Sequence, residues 1–221
     1  GRPGPVVVAL PEDMLTTLSD AKPTPRVKIA EAAPSPDAIY NLRRLLSRAE
    51  RPLIVLGGSG WSDQGRADLA KFAELNHIPV ATAFRFQDLI NHHSPSYCGD
   101  VGLGKTKAMR DTLADADLIL ALNIRFGENT TDGYELWPVP RIGKTLIHSH
   151  ASDDELGKIY QPDLPIHAHP NALAAVLAQL DLKADWAGWC ADAHQSYVAS
   201  MSIPPQPGEL DMGKVVAHLQ A

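Results

Sequence analysis

The sequence has 221 residues, 44% hydrophobic and 21% charged, a composition typical of globular proteins and long enough for a substantial core. No apolar run approaches the ~20 residues of a membrane-spanning helix, and no basic-then-apolar leader opens the chain, so membrane and secretory readings are set aside. A net charge of −6 excludes a nucleic-acid binder working by phosphate neutralisation, and two cysteines without Cys-x-x-Cys spacing exclude a disulfide framework and point to a cytoplasmic setting.

The chain opens on Gly1-Arg2-Pro3-Gly4-Pro5, a turn signal, followed by the apolar run Val6–Leu10 closed by Pro11, which reads as one buried strand. A strand with no neighbour in sequence looks like the last strand of another domain. Residues 21–36 carry Pro23, Pro25, Pro34 and Pro36 without periodicity and read as an extended linker. From Asp37 the pattern turns regular. Ile39, Leu42, Leu45 and Leu46 predict a helix to about Glu50, and the run Leu53–Leu56 predicts a strand buried on both faces. A helix over 62–76, a strand over 78–82, a helix over 105–113 and a strand over 117–122 follow, with 83–104 left irregular. Strands over 144–148 and 164–167 and a helix over 171–180 complete the unit. Helices alternating with fully apolar strands predict an α/β, Rossmann-like parallel sheet of about six strands, helices on both faces. Beyond Leu182, residues 184–201 read as a helix, Pro204–Gly208 as a break, and 211–221 as the start of another helix.

Four features bear on function. Gly57-Gly58-Ser59-Gly60 follows the first strand of the unit, where a dinucleotide diphosphate would rest on a helix N-terminus, although the same glycines suit a plain tight turn. Gly99–Thr106 fits the P-loop pattern letter for letter, which would set Lys105 on terminal phosphates and Thr106 on magnesium. The residues before Gly99 do not read as a buried strand, and no apolar strand ends in aspartate, so context argues against a nucleotide hydrolase. The histidine pairs His148/His150 and His167/His169, with His92 and His93, fall at strand ends without a cysteine or carboxylate at ligand spacing, so no metal site is expected. Trp186, Trp189 and Tyr197 read as packing, and no catalytic residue is assigned in this chain.

The order of these segments resembles the middle of a thiamine-diphosphate-dependent enzyme of the acetolactate-synthase-like branch. The residues that carry the resemblance are Arg51–Gly58, His77–Thr82, His93-Ser94-Pro95 with Gly99–Gly102, and Ala116–Leu120 with Arg125-Phe126. The resemblance implies that 1–20 is the tail of an N-terminal pyrimidine-binding domain, 21–36 a linker, 37–182 the central Rossmann-like domain of the DHS-like NAD/FAD-binding type, and 183–221 the approach to a C-terminal diphosphate-binding domain. It implies a parent transferase or lyase that uses thiamine diphosphate and magnesium on a 2-keto acid, the cofactor acting as electron sink. The activating glutamate and the Gly-Asp-Gly motif of that family belong to the two outer domains, so this piece alone is expected to be inactive. The outer domains are its expected partners, within a homodimer or homotetramer. In some members the central domain holds FAD without redox use, in others an adenine nucleotide. Carried over, the contacts fall on Gly57, Gly58, Ser59, Gly60, Arg125 and His150. Two departures mark an altered or vestigial nucleotide site. His150 and Ser152 stand where acidic residues would grip a ribose, and Asp100–Lys105 replaces a methionine-rich flavin loop. A free-standing adenine-nucleotide or FAD module is the alternative, ahead of the P-loop hydrolase.

Overall fold

The computed structural model describes residues 4–202, Pro204, Pro207 and 211–220. Six strands, β1 (Pro52–Leu56), β2 (Val80–Ala83), β3 (Tyr97–Val101), β4 (Leu118–Leu122), β5 (Thr145–His150) and β6 (Leu164–His167), form one sheet in the order β3-β2-β1-β4-β5-β6. Every pairing is parallel, with Ile54 registered between Val80 of β2 and Leu120 of β4. Asp117 helps align the centre by accepting the Glu50 and Arg51 amides at 2.7 and 2.9 Å.

Fully apolar strands require cover on both faces. Ile54, Leu56, Val80, Leu120 and Ile147 face a layer built from α2 (Pro36–Leu46), α3 (Asp63–Leu75) and α6 (Pro170–Leu177). Leu53, Val55, Ala81, Ile119 and Leu146 face α4 (Lys107–Asp115), α7 (Ala187–Ser200) and the segment from Ile124 to Tyr160. Alternate residues of one strand thus enter two separate cores, each buried Leu or Ile contributing about 1.5–3 kcal/mol. The helices start where their caps dictate. Ser35, Ser62 and Thr106 accept the Ala38, Gly65 and Met109 amides at 3.1, 3.0 and 3.1 Å, and Pro36 and Pro170 open α2 and α6.

Three expectations are corrected. Residues 6–10 form no strand: Val6, Val7, Val8 and Leu10 are exposed, because the run meets no ladder partner among the described residues, and the short α1 (Glu12–Thr16) follows it. The sixth strand is instead β3, inside the stretch read as irregular. It lies at the sheet edge, where α7 covers it: the His194 Nδ1–H donates to the Tyr97 carbonyl at 2.7 Å. The helix after Ser35 ends at Leu46 rather than Glu50, and α8 (Met212–Gln220) is the final element. The turn read at Gly1–Pro3 and most of the break at 204–208 lie outside the described residues, as does Ala221. Among the described residues no helix is long and apolar enough to cross a membrane.

Candidate functional site

β1 and β4 are neighbours, yet the chain leaves β1 toward β2 on one side and β4 toward β5 on the other. Loops that diverge from the carboxyl ends of adjacent strands leave a crevice between them, the usual ligand position of an open α/β sheet. Here the crevice has a volume of about 940 Å³, within the range of small-molecule sites. Gly58, Ser59 and Gly60 form one wall, Asn123 and Arg125 a second, and His150–Asp153 a third, with His167 and His169 behind. Of the six expected contacts, five border this one space. Gly57 does not; it is wedged beneath, where an added Cβ would lie 3.2 Å from both Ala83 and Ile124.

The turn after β1 needs its glycines. Gly58 has φ +69°, and a Cβ there would lie 2.2 Å from the Asn123 carbonyl oxygen. Asn123, itself at φ +55°, stitches three strand ends together. Its Nδ2 donates to the Ser59 carbonyl at 2.9 Å, its Oδ1 accepts the Ala151 amide at 3.4 Å, and its backbone N–H donates to the Ser149 carbonyl at 2.7 Å. Asn171, from the start of α6, makes a second stitch: its Oδ1 accepts the Ser62 amide at 2.9 Å and its Nδ2 donates to the Gly60 carbonyl at 3.1 Å. One amide of the α3 N-terminus is therefore already taken by the protein.

On the β5 side, His150 is buried and its Nδ1 accepts the Ser152 amide at 2.9 Å. His148, on the same face of the strand, is not part of the crevice lining and packs against Phe126, with ring centroids 4.9 Å apart. It donates from Nε2 to the Ile124 carbonyl at 2.9 Å. Burial pulls it down to about 4, the Ile124 hydrogen bond opposing this only in part, so the imidazole is neutral. Arg125 sets its Nε 3.9 Å from buried Glu155, which Lys158 also approaches at 3.6 Å. The acidic triplet Asp153–Glu155 forms a single 3₁₀ turn.

Several lining residues carried no sequence signal. The linker supplies Ile29–Ala32 as an outer wall, held by the His169 amide on the Ala32 carbonyl at 2.8 Å and by His169 Nδ1 at 3.4 Å from Glu31. The short α5 (Glu128–Thr131) and Tyr134 close another side. Glu31, Glu128 and Asp153 are the carboxylates on this lining and Arg125 its arginine.

The P-loop reading fails on geometry. Gly99 lies inside β3, not at its end, and Asp100 accepts the Gly102 amide at 2.7 Å. Lys105 turns into the protein and pairs with Asp132, while the Thr106 hydroxyl caps α4. Neither group is available to a phosphate. Among the described residues no three His, Cys, Asp or Glu side chains gather where a metal ion could be held. Trp186 and Trp189 pack and donate from their indole nitrogens to the Ala49 and Pro52 carbonyls at 2.9 and 2.8 Å.

Comparison with known proteins adds a family. A profile described as "Thiamine pyrophosphate enzyme, central domain" matches residues 39–180. A probable acetolactate synthase large subunit of Methanococcus aeolicus is 31% identical over 189 residues, covering 82% of this chain and 31% of that protein. The acetolactate synthase isozyme 2 large subunit of Escherichia coli K12 is 25% identical over 197 residues, 89% of this chain and 35% of its own length. Glyoxylate carboligase of Escherichia coli O157:H7 is 28% identical over 205 residues, 88% and 34% respectively. The chain thus spans about a third of the length of these relatives.

Proposed function

This chain belongs to the thiamine pyrophosphate enzyme central-domain family, and from that premise we propose that it is the scaffold portion of a larger thiamine-diphosphate-dependent enzyme acting on 2-keto acids, with an adenine-nucleotide site in its crevice. The observation that carries the reading is a coincidence of boundaries. The family match, 39–180, covers the doubly wound unit from α2 to α6, and the crevice sits at that unit's switch point.

Thiamine diphosphate itself is not placed here. The family resemblance puts the activating glutamate and the magnesium-binding motif outside residues 37–182. The reactive centre is therefore assigned to partner domains, on either side of residues 37–182, in a homodimeric or homotetrameric enzyme. Two free, buried cysteines suit the cytoplasmic setting of this proposal.

For the crevice, an adenine nucleotide fits better than the whole of FAD. The glycine turn gives a close backbone approach at Gly58–Gly60, and Arg125 offers a cation beside it. The loop 102–105, where a flavin-contacting segment would belong, is absent from the lining, and its lysine is turned inward. His150, a neighbour of Ser152 at the β5 end, takes the position from which a ribose hydroxyl would be met.

The test is made on the longer protein that contains this segment, supplied with thiamine diphosphate, magnesium and either pyruvate or glyoxylate. Carbon dioxide release is expected with at least one of them, and no release from any 2-keto acid tried would contradict the reading.

A further inference from the structure

The P-loop look-alike has a use that its pattern does not announce. We propose that Lys105, seconded by Arg110, is a positioning residue for the crevice: by holding Asp132 it fixes the arm 127–134, which forms one side of the ligand space. The proposal rests on the crevice being a ligand site.

Three observations support it. First, Gly127, Glu128, Asn129, Thr130 and Tyr134 of this arm all line the crevice. Second, the arm has little capacity to hold itself. Its helix α5 has four residues, far fewer than an isolated helix needs, and Asp132 and Tyr134 sit at φ +51° and +70°, where side chains are rarely found. Its own hydrogen bonds run mostly within the segment: the Gly133 amide to the Glu128 carbonyl at 2.9 Å, the Thr131 hydroxyl to the Gly127 carbonyl at 3.0 Å, and the Tyr134 amide to the Thr131 hydroxyl at 3.1 Å. Third, the Asp132 carboxylate reaches out of the arm with both oxygens. Lys105, its side chain 0% exposed, takes Oδ1, and Arg110 takes Oδ2 at 2.7 Å.

Two cations on one carboxylate hold it below the usual carboxylate range, Lys105 contributing most. Their placement is independent of the arm, because the Thr106 cap and the β3–α4 turn anchor them to the sheet. Loss of the lysine should thus free the arm without opening the sheet.

The intact protein decides the matter with two readouts: ADP affinity by calorimetry and amide hydrogen exchange along the chain. In Lys105→Met and Asp132→Asn, exchange over 127–134 is expected to quicken at least tenfold while β1, β4 and β5 stay as slow as in the wild type. ADP should bind at least tenfold more weakly. Lys105→Arg should recover most of both losses, and the double variant should be no worse than either single one. Arg110→Gln, at the exposed edge of the pair, is the mild variant if burial makes the others fold poorly, and a smaller change of the same kind is expected. Unchanged exchange in the arm, or equal acceleration across the whole sheet, would overturn the proposal, as would unaltered ADP affinity in a variant whose arm has loosened. If the wild type binds no ADP, the crevice reading falls separately, and the exchange pattern alone decides whether Lys105 positions the arm.

Discussion

Buried His148 makes acid the most informative perturbation of this fold. In the unfolded chain an imidazole titrates near 6.5, whereas in the folded protein His148 is held at about 4 by burial. Above pH 6.5 both states are neutral there and nothing is lost. As the pH falls below 6.5 the unfolded chain takes up a proton that the folded chain refuses, so stability declines. Below about 4 both are protonated and the decline stops. The full loss is about 3 kcal/mol, of which about 2 kcal/mol falls between pH 7.5 and 5. No solvent discount applies, since His148 is 1% exposed. Of the other displaced groups, Tyr97, Tyr160, Tyr197 and both thiols move upward, Asp132 and Asp181 move down from the carboxylate range, and burial moves Lys144 down from the lysine range. Urea unfolding at the two pH values gives the wild-type difference. His148→Gln gives the reference, because its amide can still donate to the Ile124 carbonyl but cannot titrate. The variant should be less stable at neutral pH yet lose about 2 kcal/mol less on acidification. Equal losses in the two proteins would refute the reasoning.

The glycine turn and the asparagine stitches can be tested in the same way. Gly58→Ala places a methyl group 2.2 Å from the Asn123 carbonyl at φ +69°, and should lower stability by more than about 2 kcal/mol. Gly104→Ala, at φ +77° with nothing within 4 Å, should cost only the backbone term of about 1 kcal/mol. Thermal melts of the pair check the contrast, and equal shifts would remove the crowding argument. Gly65→Ala meets the Asn171 side-chain oxygen at 2.2 Å and should destabilise α3 against α6. In an Asn171→Ala background most of that cost should disappear, since alanine is by itself the better helix former by about 1 kcal/mol. A cycle with no coupling would show that this contact does not set the packing.

The parts of the fold legible from sequence are those whose residues see similar surroundings on every side. β1 and β4 lie inside the sheet and are continuously apolar, so they could be read directly. β3 was hidden because an edge strand needs no such run. Tyr97-Cys98-Gly99-Asp100-Val101 holds a glycine at φ +116° and an aspartate, next to a register shift between Val80 and Ala81. Val6–Leu10 erred in the opposite direction: apolar, β-branched residues are no strand without a ladder to join. Within the crevice, the glycine turn could be read from the strand it follows, whereas Arg125 and His150 rested on the family resemblance alone. Asn171 was not, since it meets Ser62 across 109 positions, and nothing local marks such a partner. The linker wall at 29–32 was hidden for the same reason. The P-loop pattern around Lys105, which its sequence context already argued against, describes a loop that ends a strand, whereas here β3 runs through the first glycine.

The proposed division is nucleotide recognition in this chain and the reactive cofactor elsewhere. Calorimetric titration of the 221-residue chain, once with ADP and once with thiamine diphosphate plus magnesium, addresses that division in one experiment. Saturable heat is expected from ADP and only heat of dilution from thiamine diphosphate. Tight, stoichiometric uptake of thiamine diphosphate by this chain alone would contradict it.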